Sequence, residues 1–248
     1  MHSEPNPDSV STPGWRDFGD AWFTPGRFAL VLGLFLFATF PGVVLGTQSF
    51  CYRDYGFLAY PFFFFHRECF WSGELLPFWN PYVNCGAPYL AQWNTLTLYP
   101  GSLLYLLPPM PWSLGFFCLA HLFLGGMGMR ALAERWTGNR FVACVAGVAF
   151  VFNGVALTSH IYPNYLATLG WLPWVVLFVE RAVREGGRMI VAGALVGAMQ
   201  MLTGAPEILL TTWLLLAVLA LGEWRMANGV RLDKSRGGSR RWCCSSRG

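Results

Sequence analysis

Six apolar runs decide what this chain can fold into: residues 28–46 (FALVLGLFLFATFPGVVLG), 112–129, 141–158, 165–179, 189–203 and 208–222. A helix crosses the hydrocarbon core of a bilayer in about 20 apolar residues, with roughly 17–25 usual. The first three runs fit, and the last three reach that length only with their flanks. With 54% hydrophobic and only 12% charged residues among 248, the chain is too apolar for a water-soluble domain of its size. The runs predict an all-α polytopic membrane protein with about six transmembrane helices over residues 27–224. The first run follows residues 1–26, which carry Glu4, Asp8, Asp17 and Asp20, and it ends without a small-residue cleavage site. It therefore reads as an uncleaved anchor rather than a signal peptide.

Basic residues orient the helices. With the amino terminus in the cytoplasm, the inside holds Arg16 and Arg27, the Arg130/Arg135/Arg140 turn, the Arg181/Arg184/Arg188 turn and the seven basic residues of the tail. Of 17 Lys and Arg, only Arg53 and Arg67 are then left outside, as the positive-inside rule requires. The net charge of +4 is thus topological and gives no reason to invoke nucleic acid. The same topology puts one long loop, 47–111, on the outer face with two tight turns, SHIYPN (159–164) and TGAPE (203–207). A site is expected at that face, because the loop alone has the polar variety to form one.

The loop opens on YRDYGFLAYPFFFFHRE, residues 52–68, where charges surround a strongly aromatic run. Such a run predicts a helix lying in the headgroup layer. Asp54 is placed to cap its first turn, and Pro61 to kink or interrupt it after the second. Beyond Gly73, six prolines between Pro77 and Pro109 forbid a long helix. There Asn80, Asn84, Gln92 and Asn94 alternate with Trp79, Tyr82, Tyr89, Trp93 and Tyr99. Aromatic faces beside amides suit a sugar; the same amides can equally satisfy the loop's own backbone. Cys51, Cys69 and Cys85 share the loop without CxxC spacing, a weak disulfide signal and no metal signal. Cys118, Cys144, His121, Asn153 and Gln200 fall within helices, where packing and interhelical hydrogen bonds are their ordinary roles. Gly193 and Gly197 form a GxxxG match that marks close helix packing. Residues 225–248 lose the hydrophobic period and become rich in Gly, Ser and Arg, which predicts a disordered basic tail. That tail reads either as a solvated cytoplasmic segment or as a native chain cut or read out of frame.

The order RDYGFLAYPFFFFHRE, GELLPFWNPYVNCGAPYLAQWNTLTLYP, WLPWVVLFVERAVREG and LTGAPE resembles the amino-terminal part of the bacterial YfhO-like membrane proteins, of the GT-C glycosyltransferase superfamily. The resemblance covers roughly residues 27–222. It implies a multi-pass protein of the bacterial inner membrane that takes a sugar from a polyprenyl-phosphate donor and transfers it to an acceptor outside. It further implies that Asp54, the acidic residue of the first outer loop, serves the chemistry. A carboxylate there can take the proton an acceptor hydroxyl loses as it attacks the anomeric carbon. Arg53, His66 and Arg67 are the outer-loop groups that can meet the lipid phosphate as it leaves. Asn80, Asn84, Gln92, His160 and Glu207 are further candidates for binding substrate, although Glu207 also suits the first turn of the sixth helix by its charge. Family members are longer, so a six-helix piece is expected to hold the catalytic loop yet to lack much of the donor and acceptor cavity, as a truncated and inactive fragment would. Sugar, acceptor and any need for a divalent metal are left open by the sequence.

The rival class is a non-enzymatic membrane protein, either a transporter or a lipid-binding assembly component. A transporter is expected to repeat its hydropathy in two halves and to break helices at mid-membrane; here no repeat is visible and the polar residues collect at the outer edge. No GxSxG, HExxH or Walker motif is present to supply hydrolase machinery. Topology is directly testable. Cysteines introduced at Leu75 and Ile161 should react with a membrane-impermeant maleimide added outside, and cysteines at Thr137 and Gly186 should not. The reverse pattern would place the long loop in the cytoplasm.

Overall fold

The first apolar run does not form one helix. Helix α1, Pro25–Thr39, stops at Phe40, and a single turn, α2, follows over Pro41–Val44. Pro41 is the cause: it offers no N–H and its ring clashes with the preceding turn. The structure, a computed structural model, describes residues 22–239. Most of the expected amino-terminal segment 1–26, and residues 240–248 with Cys243 and Cys244, lie outside the described residues.

The later helices are α5, Trp112–Thr137; α6, Arg140–Val151; α7, Gly154–Thr158; α8, Pro163–Glu185; α9, Arg188–Met201; and α10, Pro206–Ser239. Among the described residues, three helical stretches are long and apolar enough to cross a membrane: α5, Arg140–Ile161 and α8. The other expected spans are shorter apolar helices, namely α1, α9 and Pro206–Gly222 of α10. Their outward faces carry exposed Leu30, Leu34, Val191, Leu195, Leu210 and Val218. The backbone of α10 stays helical through Ser239, across the boundary expected at residue 225; Met226, Ala227, Leu232 and Lys234 are all good helix formers.

Helix α5 is the hub of the bundle, with α6 and α8 packed along it. Close approach is allowed by glycines. A Cβ on Gly170 of α8 would stand 2.5 Å from the His121 carbonyl oxygen of α5, and one on Gly147 of α6 would stand 2.8 Å from the Gly126 carbonyl. Gly193 and Gly197 meet their neighbours only at 3.3 Å and beyond, so the tight seam runs along α5 and not along the GxxxG of α9. The basic turns gather at one end of the bundle. There Arg135 bridges to Glu180 and Glu185 of α8, Arg140 to Glu134, and buried Arg130 to Glu134 and the Phe23 carbonyl.

The long loop covers the opposite end. A π-helical turn, Tyr55–Ala59, runs into α3, Tyr60–Trp71. The expected interruption at Pro61 thus takes the form of a change of winding one residue before the proline. The remainder is short pieces: β1 (Trp79–Asn80) paired antiparallel with β2 (Ala87–Pro88), 3-10 turns at Trp93–Thr95 and Pro100–Ser102, and the turn α4, Leu103–Leu106. Side chains of the loop moor it to the bundle. Trp93 Nε1 donates to the Met201 carbonyl at the end of α9. Tyr99 enters the core, its hydroxyl 2.7 Å from His121 Nε2 and accepting from Trp171 Nε1 at 2.7 Å. The mooring at Met201 depends on Gly204, whose φ of +69° is left-handed and whose absent side chain makes room for the Trp93 carbonyl. Gly204→Ala should lower stability by about 1–3 kcal/mol, read as an earlier urea midpoint in micelles.

Candidate functional site

Asp54 stands at the start of the π-helical turn, in the position of a cap, with αR backbone angles and no side-chain hydrogen bond to the turn. Its carboxylate is used elsewhere. Oδ2 accepts a hydrogen bond from the hydroxyl of Tyr162, a residue 108 positions along the chain. Tyr162 lies where the 3-10 turn Ser159–Ile161 hands over to α8, so the contact joins the long loop to the SHIYPN turn. The Tyr162 ring packs on Tyr165 one turn into α8, with centroids 5.2 Å apart. The Tyr165 hydroxyl in turn faces Glu207, in the first turn of α10. Two carboxylates from distant segments thus lie beside two neighbouring phenols.

Arg53 completes the cluster. It is exposed, its charge acts on the Tyr162 phenol, and its backbone is left-handed with φ 49°. A non-glycine residue held there costs of order 1–3 kcal/mol, a strain found mostly at functional positions. Tyr162 keeps its proton above its ordinary pKa of 10.0, first because the phenol donates to Asp54, then through partial desolvation and the carboxylate's charge, with Arg53 opposing.

His160 lies close by in the sequence but is set deeper. It is 8% exposed, packed on Phe50 and Phe40 at centroid distances of 4.8 and 5.4 Å, with Nδ1 2.8 Å from the Leu157 carbonyl. It lines a cavity of about 660 Å³ together with Tyr52 and Tyr55, which flank Arg53 and Asp54 in the chain.

The other sequence candidates fall elsewhere. His66 is 2% exposed, with Nδ1 2.9 Å from the Tyr105 hydroxyl, and burial lowers its pKa to about 4. A ring held neutral in this way carries no charge toward a phosphate. Arg67 donates to the Pro108 carbonyl and pairs with Glu68, which clips α3 to the end of the loop. Asn80 is buried and accepts from the Tyr82 N–H, and Gln92 donates to the Pro88 carbonyl. Those two amides satisfy the loop's own backbone, as one of the two readings of the loop allowed. Asn84 is exposed in a left-handed turn. Among the described residues, Cys51, Cys69, Cys85, Cys118 and Cys144 are free thiols, and no group of three or more His, Cys, Asp or Glu side chains is placed to hold a metal ion.

Sequence reasoning passed over Tyr162 and Tyr165, although their i, i+3 spacing across the SHIYPN turn would put both on one face of a helix start. No family model, no curated protein and no solved structure matches the chain.

The Asp54–Tyr162 bond has a measurable signature. A phenol that donates to a carboxylate resists ionisation, so this contact contributes fully below pH 10 and is lost as pH rises through the raised pKa. The tyrosinate absorbance difference between the parent protein and Tyr162→Phe should titrate above 10.0. In an Asp54→Ala background the same difference should move down. An unmoved midpoint would show that the carboxylate does not hold the phenol.

Proposed function

We propose that the chain is a membrane glycosyltransferase-like protein of GT-C type, which takes a sugar from a polyprenyl-phosphate donor and transfers it to an acceptor at the outer face. In this reading α1, α9 and Pro206–Gly222 of α10 also cross the membrane, giving six spans with the amino terminus in the cytoplasm. The observation that carries the proposal is the use made of Asp54. Its carboxylate is spent on no helix cap and is drawn instead onto Tyr162, beside Arg53 and the Tyr165–Glu207 pair.

Each residue then has a role. Tyr162 holds Oδ2 of Asp54 and fixes the plane of the carboxylate, which leaves Oδ1 to take the acceptor's proton as the hydroxyl oxygen attacks the anomeric carbon. The bond from that carbon to the lipid phosphate breaks, and the phosphate departs with its charge. Arg53 is the cation beside Asp54 that can meet the departing charge. His66 and Arg67 drop out of that role because their hydrogen bonds serve the packing of α3. Glu207 sits behind Asp54 in the tyrosine chain and adds a second acid to the same surface.

A second reading, a non-enzymatic lipid-binding component, is favoured by one observation. Between α1 and α6 lies a cavity of about 390 Å³ lined by Phe28, Val31, Phe141, Val145 and Val148, with Arg27 among its walls. That cavity accepts an apolar chain and offers no group for catalysis.

Asp54→Asn separates the readings. The variant keeps an acceptor for Tyr162 but loses the basicity a proton acceptor needs. It should insert and remain as stable as the parent while sugar transfer from a polyprenyl-phosphate donor falls about a hundredfold or more. Near-normal transfer by this variant would remove Asp54 from the chemistry.

A further inference from the structure

Two buried polar atoms at the outer cavity have no hydrogen-bond partner: Nε2 of His160 and the hydroxyl of Tyr55. The residues are 8% and 1% exposed, both line the same 660 Å³ space, and both rings pack on Phe50, at 4.8 and 5.8 Å between centroids. Ser49 lies near the Tyr55 phenol, but no hydrogen bond joins the two hydroxyls, and that of Ser49 donates to the Phe50 carbonyl. Leaving such buried groups unsatisfied is costly, and a cavity of this volume is in the range that holds small-molecule ligands.

The chemistry of the missing partner follows from the tautomer. His160 Nδ1 faces the Leu157 carbonyl, which can only accept, so Nδ1 carries the proton and Nε2 of the neutral ring is an acceptor. Tyr55 offers a donor. One group that donates to the imidazole and accepts from the phenol is a hydroxyl. The chain contains the same arrangement already filled. At His121, Nδ1 donates to the Phe117 carbonyl, and the Tyr99 hydroxyl donates to Nε2 while accepting from Trp171. The other walls of the outer cavity are apolar or uncharged, among them Phe40, Tyr52, Leu157 and Ile161, with no Lys, Arg, Asp or Glu. A phosphate or carboxylate would find no cation there.

We propose that this cavity binds a lipid alcohol: a long apolar chain ending in an uncharged hydroxyl, which occupies the position between His160 Nε2 and Tyr55 that Tyr99 occupies at His121. The apolar walls take the chain and the two orphaned atoms take the head. This site is separate from the proton-accepting role of Asp54 and stands or falls without it.

The test is photo-crosslinking of the purified full chain in detergent micelles with a hexadecanol carrying a diazirine on its chain. Label is expected in peptides covering residues 49–55 or 157–161. Unlabelled hexadecanol should compete, whereas hexadecyl methyl ether, which cannot donate to Nε2, and hexadecanoate should not. Tyr55→Phe removes only an oxygen that has no partner and so preserves the fold. It should raise the hexadecanol concentration for half-competition roughly threefold to tenfold, and His160→Leu should do the same. Asp54→Asn should keep the label whether or not it abolishes transfer. Equal competition by the alcohol and its ether, label spread over the outer surfaces of α1 and α9, or an unchanged Tyr55→Phe curve would overturn the proposal and leave water as the occupant.

Discussion

The hydrogen bonds converging on the Tyr99 hydroxyl hold the molecule's two halves together. A loop of more than sixty residues with little regular structure, spread over one end of a helical bundle, needs something stronger than surface contact to keep its place. Tyr99 supplies it by entering the bundle, where its oxygen bonds to His121 of α5 and accepts from Trp171 of α8. Both helix side chains are thereby satisfied in surroundings where an unpaired polar group is costly. The loop's register on the bundle follows, and with it the positions of α3, the π-helical turn and Asp54.

From that anchoring the candidate site inherits its character. None of its parts is local: Asp54 comes from the loop, Tyr162 from the turn before α8, Glu207 from the start of α10. Each lies at an end of a helix or turn, in a bundle whose α5, α6 and α8 approach closely at glycines. The neighbouring cavity shares this origin, since its walls come from the end of α1, the segment 49–55 and the segment 157–161. Packing inside the bundle therefore bears on polar geometry at the end the loop covers.

Much of this was legible in the sequence, for reasons that can be stated residue by residue. Long apolar runs and clustered arginines are strong signals, and the helices lie where the runs are. Proline explains the main departure, because Pro41 ends α1 inside a run that hydropathy alone reads as continuous. The GxxxG of α9 drew attention by its spacing, but glycine spacing says nothing about which partner comes near, and the tight contacts fall on Gly126, Gly147 and Gly170. At the site, Asp54 was visible as a charge among aromatics. Its partner was not, because a tyrosine in a turn is unremarkable until the fold brings it across 108 residues. His66 and Arg67 looked like phosphate ligands by charge and proximity in the chain; the burial of His66 against the Tyr105 hydroxyl and the bond from Arg67 to the Pro108 carbonyl depend on how α3 packs, which no local pattern encodes.

The separation of Asp54 from Tyr162 bears on biosynthesis. During synthesis Asp54 is made early, but the phenol that orients it arrives only after α5 and the Arg140–Ile161 stretch have been made, and Glu207 later still. Until then the carboxylate belongs to a loop with no fixed geometry. The protein cannot assemble this cluster while it is half made, so segments synthesised late complete a site whose first residue left the ribosome long before.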